Sequence, residues 1–284
     1  MIPLIGVRYY GVMIALGVLA AVTLARQRWK AMGNDPDEIA DVAVWAVPAG
    51  LIGARLYHVI TDWNDVYSNG RWMWRAFEIW NGGLGIPGGI ALGALAGVAA
   101  ARYYRIDVKD CVDAMVPAIP LAQAIGRFGN YFNQELFGRP SNLPWAVEIS
   151  PNKRPPQYAD NSTFQPTFAY EALWNLGTMG VLVWLDSKKV LRPGKLAPAY
   201  AVLYFTGRLW VEALRSDHAN TLFGLRINIV VSLAVMAAGS MWLTWGGALR
   251  PSQQQRSPAE TSTDPTSSVD EGAASGHGPG SNPV

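Results

Sequence analysis

The sequence predicts an all-α integral membrane protein, and three observations carry that expectation. Of its 284 residues, 50% are apolar and only 15% charged, against roughly 25% charged in an average soluble domain. The apolar content is also concentrated, because the stretch 251–284 holds no Leu, Ile, Phe, Trp or Tyr and the rest of the chain is correspondingly greasier. Finally, apolar runs long enough to cross a hydrocarbon core of about 30 Å recur along residues 9–246. The lone cysteine excludes an internal disulfide framework and any multi-cysteine metal site. A net charge of +2, with basic residues scattered among short loops, excludes a nucleic-acid partner. Neither a metal nor another cofactor is expected.

Windows of about 19 residues give about seven spans, near 9–25, 41–60, 84–101, 111–127, 168–185, 196–214 and 227–246. Several are interrupted by Gly, Pro or a charge, as in helices that pack on one another or line a cavity. In span 1 the basic cluster follows the apolar run, so the segment reads as a membrane span and not as a cleaved signal peptide. Arg26, Arg28 and Lys30 follow span 1, Arg102, Arg105 and Lys109 follow span 3, and Lys188, Lys189, Arg192 and Lys195 follow span 5. With Arg250 and Arg256, all lie on one side of a seven-span arrangement. The positive-inside rule makes that side cytoplasmic, with the N-terminus out and the C-terminus in. Trp63, Trp72, Trp74, Trp80, Trp145, Trp242 and Trp245 fall near span ends, where an aromatic belt would place them.

The longest outer connection, about 130–167, is rich in Pro and Asn, and its residues 145–149 alternate like a short strand. It reads as a small extracytoplasmic cap. Residues 1–250 are expected to form a polytopic membrane domain. The Ser/Pro/Gly/Thr-rich stretch 251–284 is expected to be a disordered cytoplasmic tail.

Charged residues inside spans are costly and therefore informative. In span 6, Tyr200, Tyr204, Arg208 and Glu212 recur every four residues, with Arg215 three further on, which makes one polar stripe. A structural Arg208–Glu212 pair would account for part of it. Span 4 carries Pro117 and Pro120 and ends in the run Gly126 to Gly138, which holds Arg127, Asn130, Asn133 and Glu135. A broken, glycine-flanked segment with these groups reads as a site, the plain alternative being a snorkelling interfacial arginine. Arg127 and Arg208 both fall toward the outer half, where two guanidiniums suit a phosphate. Arg55, Asp113 and Glu171 read as structural ion-pair partners, and His58 as an interfacial residue. The run Gly82 to Gly89 is too common a pattern to mark a phosphate site. A secondary transporter for an anionic solute would also use intramembrane arginines and broken helices, although the odd span count and missing inverted repeat count against it.

The run Gly126 to Gly138 resembles the signature of the bacterial prolipoprotein diacylglyceryl transferase family, close to G-R-x-G-N-[FY]-x-N-x-E-x-x-G, with every fixed position filled. The similarity extends from Tyr9-Tyr10-Gly11 through Gly53-Ala54-Arg55, Asp113, and Pro166 to Glu171, and on to Tyr204, Arg208, Glu212 and Arg215. It covers roughly residues 5–246. The resemblance implies transfer of a diacylglyceryl group from phosphatidylglycerol to the lipobox cysteine thiol of a prolipoprotein, with glycerol phosphate leaving and a thioether forming. It further implies that residues matching Tyr10, Arg127, Asn130, Glu135, Gly138, Tyr204, Arg208 and Glu212 are functional, with Asn133 joining the substrate-binding set. The implied partners are phosphatidylglycerol, prolipoprotein signal peptides and the lipid bilayer. The implied location is the bacterial cytoplasmic (inner) membrane, with the site toward the outer leaflet. Two positions depart from the family pattern: Pro87 replaces a histidine before Gly88-Gly89, and Gln165 replaces one before Pro166.

On that reading Arg127 and Arg208 clamp the phosphate, while Asn130 and Tyr204 orient its oxygens. With Pro87 in place of histidine, Glu135 and Glu212 are candidates for the proton acceptor, with His58 a third. No dedicated base is needed if the arginines alone favour the thiolate. Cys111 lies sixteen residues before Arg127, about 24 Å along a helix, so the attacking thiol is expected from the substrate.

Overall fold

A computed structural model describes residues 9–63, 77–78, 82–215, 221–222, 224–245 and 247–249. Among them are eight α-helices: α1 (Tyr9–Ala31), α2 (Pro36–Thr61), α3 (Ile86–Tyr103), α4 (Val108–Met115), α5 (Ala118–Asn133), α6 (Thr167–Ser187), α7 (Leu196–Leu214) and α8 (Ile227–Thr244). Of these, α1, α2, α3 and α8 are long and apolar enough to cross a membrane. The chain is therefore a largely helical, multi-pass membrane protein. The stretch 251–284, read from sequence as a disordered tail, and Arg250 lie outside the described residues, as do Trp72, Trp74 and Trp80.

Local signals set the helix starts. Asp35 caps α2 by accepting from the Asp37 amide, with Pro36 following and Asp37 and Glu38 in the first turn. Asp107 caps α4 by accepting from the Lys109 and Asp110 amides. Span 4 of the sequence is two helices in the structure. The ladder breaks around Pro117, where proline has no N–H to donate, and α5 restarts at Ala118.

The helices pack in the order α3–α2–α1–α5–α6–α7–α8, so consecutive elements are not always neighbours. Between α2 and α3 a close approach is made by glycines. A Cβ on Gly53 would lie 2.3 Å from the Gly88 carbonyl oxygen, and one on Gly88 would lie 2.2 Å from the Gly53 oxygen. Small residues allow the backbones to touch, which in lipid substitutes for hydrophobic driving force. The glycine run before α3 is thus a packing device. Arg55 reinforces it by donating from Nη1 to the carbonyls of Gly82 and Gly83 at 2.7 and 3.0 Å. The Gly85 amide donates to the Ala54 oxygen at 2.7 Å.

At one end of the bundle the helix termini are tied together. Arg28 donates to the Asp113 and Ala114 carbonyls and pairs with Asp186 at 3.0 Å. Asp113 accepts from the Gly194 and Leu196 amides at 2.6 and 3.3 Å. Trp29, Ile39, Val42, Ala101 and Cys111 form the apolar core beneath this end. Outward faces carry large exposed apolar residues, among them Leu19, Ile52, Ile90, Leu95 and Leu173, as a lipid-facing surface requires. Trp63, Trp145, Trp242 and Trp245 are exposed.

At the opposite end, the connection between α5 and α6 carries a small antiparallel pair of strands, β1 (Val147–Glu148) with β2 (Thr163–Phe164). The expected strand at residues 145–149 is thus present in shortened form. Phe137, Ile149 and Phe164 give it a core of its own. A second pair, β3 (Thr221–Leu222) with β4 (Leu225–Arg226), leads into α8.

Candidate active site

Three of the helices that are not long and apolar enough by themselves to qualify as spans, α5, α6 and α7, share a polar cluster. Arg127 lies in the penultimate turn of α5 and Arg208 lies two turns before the end of α7. Both turn toward Glu171, in the second turn of α6. Arg127 Nη2 donates to Glu171 Oε1, and Arg208 Nη1 lies 3.6 Å from Glu171 Oε2. The two guanidiniums that sequence spacing placed in the same half of the membrane are therefore brought onto one carboxylate. Glu171, read from sequence as a structural partner, is the residue that joins them. Its side chain is 7% exposed, against 19% for Arg127 and 15% for Arg208.

Glu212 extends the cluster. Its carboxylate lies 3.0 Å from Arg208 Nη2, 3.3 Å from Arg226 Nε and 4.0 Å from Arg215 Nη1, and Asn228 Nδ2 donates to it at 3.2 Å. Cationic and amide donors surround it, which leaves it poorly placed to accept a proton from a thiol. Arg226 and Asn228 do not stand out in the sequence, because charge just before an apolar span looks like ordinary snorkelling. Among the described residues the cluster sets four guanidiniums against the carboxylates of Glu171 and Glu212, a positive balance suited to an anion.

The second half of the site is built by how α5 ends. Gln134 adopts the left-handed conformation (φ 51°) and Leu136 does the same (φ 56°). These two residues curl the chain back, so the Glu135 amide donates to the Asn130 carbonyl at 3.0 Å. Glu135 Oε1 then accepts from Asn130 Nδ2 at 2.8 Å and from Asn133 Nδ2 at 3.3 Å, while Asn130 Oδ1 accepts from Arg127 at 3.2 Å. Asn130 is the hinge between guanidinium and carboxylate. Glu135 and Asn130 line a cavity of about 220 Å³, together with Phe132, Phe137 and Phe168.

Thr167 Oγ1 donates to the Leu136 carbonyl at 2.6 Å, which ties the start of α6 to this turn. Gly138 is bridged to Arg215 at the end of α7, and a Cβ there would lie 2.8 Å from Thr167 Cγ2 and 3.1 Å from the Leu214 oxygen. The glycine is a place of close approach. Tyr204 meets Arg127 from α7. Tyr10 packs its ring against the backbone at Gly129, where a Cβ would lie 2.5 Å from the ring. Tyr10 therefore borders the motif from α1, apart from the ion pairs.

The remaining residues that the sequence brought into question sit elsewhere. His58 pairs with Asp62 at 2.7 Å and contacts Gly83, in the α2–α3 packing. Cys111 is 3% exposed in the core at the far end of the bundle. Pro87 lies in the first turn of α3, and Gln165 uses its backbone to accept from the Gly138 amide and donate to the Arg139 carbonyl.

A family model described as prolipoprotein diacylglyceryl transferase matches residues 1–245. The phosphatidylglycerol–prolipoprotein diacylglyceryl transferase of Streptomyces griseus is 43% identical over 251 residues, covering 88% of this chain and 76% of that protein. Enzyme 1 of that name from Streptomyces coelicolor is 44% identical, covering 87% and 71%. The Mycobacterium leprae protein is 40% identical, covering 84% and 76%. The match spans the whole polar cluster and the turn that follows α5, and this chain belongs to the prolipoprotein diacylglyceryl transferase family.

Proposed function

We propose that the protein transfers the diacylglyceryl group of phosphatidylglycerol to the lipobox cysteine of a prolipoprotein, and that the cluster around Glu171 is where it does so. The observation that carries this reading is the convergence of Arg127 and Arg208 on one buried carboxylate. Two guanidiniums side by side repel each other, and Glu171 holds them at a fixed separation. Each guanidinium offers five N–H donors, enough to serve both its protein partners and a phosphate held between the two. The substrate thiolate attacks the terminal glycerol carbon, the carbon–oxygen bond to phosphate breaks, and glycerol phosphate leaves with the electron pair. The arginines stabilise the charge that builds on the leaving oxygen and also favour the thiolate over the thiol.

Glu135 is the better-placed proton acceptor of the two carboxylates named from sequence. Amide donors hold it and it lines the cavity, whereas Glu212 is held among arginines. Asn130 and Tyr204 orient the phosphate through Arg127. Tyr10, Asn133 and Gly138 shape the substrate side of the site.

The seven-span, N-out arrangement is part of the same proposal, with α4 and α5 together counting as one span. Support comes from the ties among Arg28, Asp113, Asp186 and Gly194, which gather the ends of α1, α4, α6 and α7 that carry the basic loops. The positive-inside rule makes that end cytoplasmic. The cluster and the strand-bearing connection, as a small cap, then face the outer leaflet of the bacterial cytoplasmic membrane. Residues 1–250 form the catalytic unit and 251–284 a cytoplasmic tail. Family membership leaves the anion-transporter reading without support.

The test incubates purified protein in phosphatidylglycerol vesicles with lipobox peptides that differ only in Cys or Ser at the acceptor position. Release of glycerol phosphate with Cys alone is expected. Release with neither, or movement of an anion without chemical change in the lipid, would overturn the assignment.

A further inference from the structure

One turn deeper in the bundle than the arginine cluster lies a second polar tier, of which the chemistry above uses only Tyr204. Asn175 follows Glu171 by four residues on α6, so it sits on the same helix face as Glu171. It is 0% exposed, and among the described residues neither its Nδ2 nor its Oδ1 has a hydrogen-bond partner. Gln123, four residues before Arg127 on α5, has a buried Oε1 that is likewise without a partner among them. Tyr204 and Tyr200, the first four residues before Arg208, complete the tier from α7, where Tyr200 is hydrogen-bonded to the Gln123 side chain. The ends of α5, α6 and α7 nearest the cluster are joined by the Thr167–Leu136 and Gly138–Arg215 contacts, so these positions descend together into the bundle.

Buried polar groups are nearly always paired, and an orphaned side-chain amide inside a membrane helix calls for a ligand. One helical turn is about 5.4 Å. That depth matches the ~5–7 Å interfacial layer on each side of the hydrocarbon core, within which a glycerolipid carries its ester carbonyls below its phosphate. An ester carbonyl accepts hydrogen bonds and never donates, the complement of Asn175 Nδ2.

We propose that Asn175, together with Gln123 and Tyr204 one turn below the same cluster on their own helices, receives the ester-linked glycerol backbone of the donor lipid. The site thus selects diacyl over dialkyl lipids although the esters take no part in the bond exchange. This inference rests on the proposed arginine clamp, because the clamp sets the depth of the lipid.

The test compares kcat/KM for diester and diether phosphatidylglycerol, using full-length protein and a lipobox peptide. The wild type is expected to favour the diester about five-fold, the scale of one neutral hydrogen bond. Asn175→Leu, similar in shape, is expected to close that gap by slowing the diester reaction. It is also expected to raise the thermal midpoint of the lipid-free protein, since two orphaned groups are removed. Gln123→Met provides a second probe with the same expected narrowing. Equal use of both lipids by the wild type would overturn the inference, as would an undiminished ester preference in Asn175→Leu. A fall in the lipid-free midpoint would also overturn it, by showing that trapped water alone satisfies the amide. No transfer from either lipid by the wild type would instead sink the transferase reading itself.

Discussion

Replacing Glu171 by Gln removes the charge that binds the two arginines while keeping nearly the same volume. Arg127 then loses the carboxylate it pairs with, whereas Arg208 keeps Glu212 at 3.0 Å. Breaking a buried ion pair from one side costs about 3–5 kcal/mol. Because Arg127 is partly exposed and Arg208 keeps a partner, the lower end, about 3 kcal/mol, is expected. The arginines also drift apart, and misplacement on the 1 Å scale costs about 100-fold in rate. An added anion should replace the missing carboxylate, so glycerol phosphate is expected to raise the thermal midpoint of Glu171→Gln more than that of the wild type. Thermal denaturation in detergent, with and without glycerol phosphate, reads both effects. A variant as stable and as active as the wild type would refute the bridging role.

Other outcomes follow from the same geometry. Glu135→Gln is expected to lose most of its activity with little loss of stability. Glu212→Gln should lose stability first, since it leaves buried arginines under-compensated; thermal melts beside rate measurements separate the two. Gly53→Ala places a Cβ 2.3 Å from the Gly88 oxygen, so helices α2 and α3 must part, and a loss of about 1–3 kcal/mol is expected in a denaturation series. Cys111→Ser should transfer the lipid group at the wild-type rate, because that thiol is buried at the far end from the clamp.

Much of the candidate site was legible in the sequence because its signals are local. The four-residue spacing of Tyr200, Tyr204, Arg208 and Glu212 fixes a common face, and charge within an apolar segment is anomalous wherever it occurs. The partner of that face was not legible. Glu171 looks like any ion-pair residue until α5 and α7 are packed on either side of α6. Arg226 joins Glu212 only because a strand pair returns the chain beside α7. The left-handed turn at Gln134 and Leu136, which carries Glu135 back to Asn130, uses residues without the usual preference for that conformation. The glycines from Gly82 to Gly89 look the same in sequence whether they cradle a phosphate or a neighbouring helix. Only the space at Gly53 and Gly88, where an added Cβ would lie 2.2–2.3 Å from the opposing carbonyl oxygen, decides for the helix.

The most direct measurement is the rate of glycerol phosphate release, with phosphatidylglycerol and a lipobox peptide, by Arg127→Ala and Arg208→Ala. Each should retain its fold, since Glu171 and Glu212 keep other guanidiniums nearby. Each should lose at least about 100-fold in kcat/KM, the scale of a lost transition-state donor. Turnover within a few-fold of wild type by either variant would contradict the phosphate clamp.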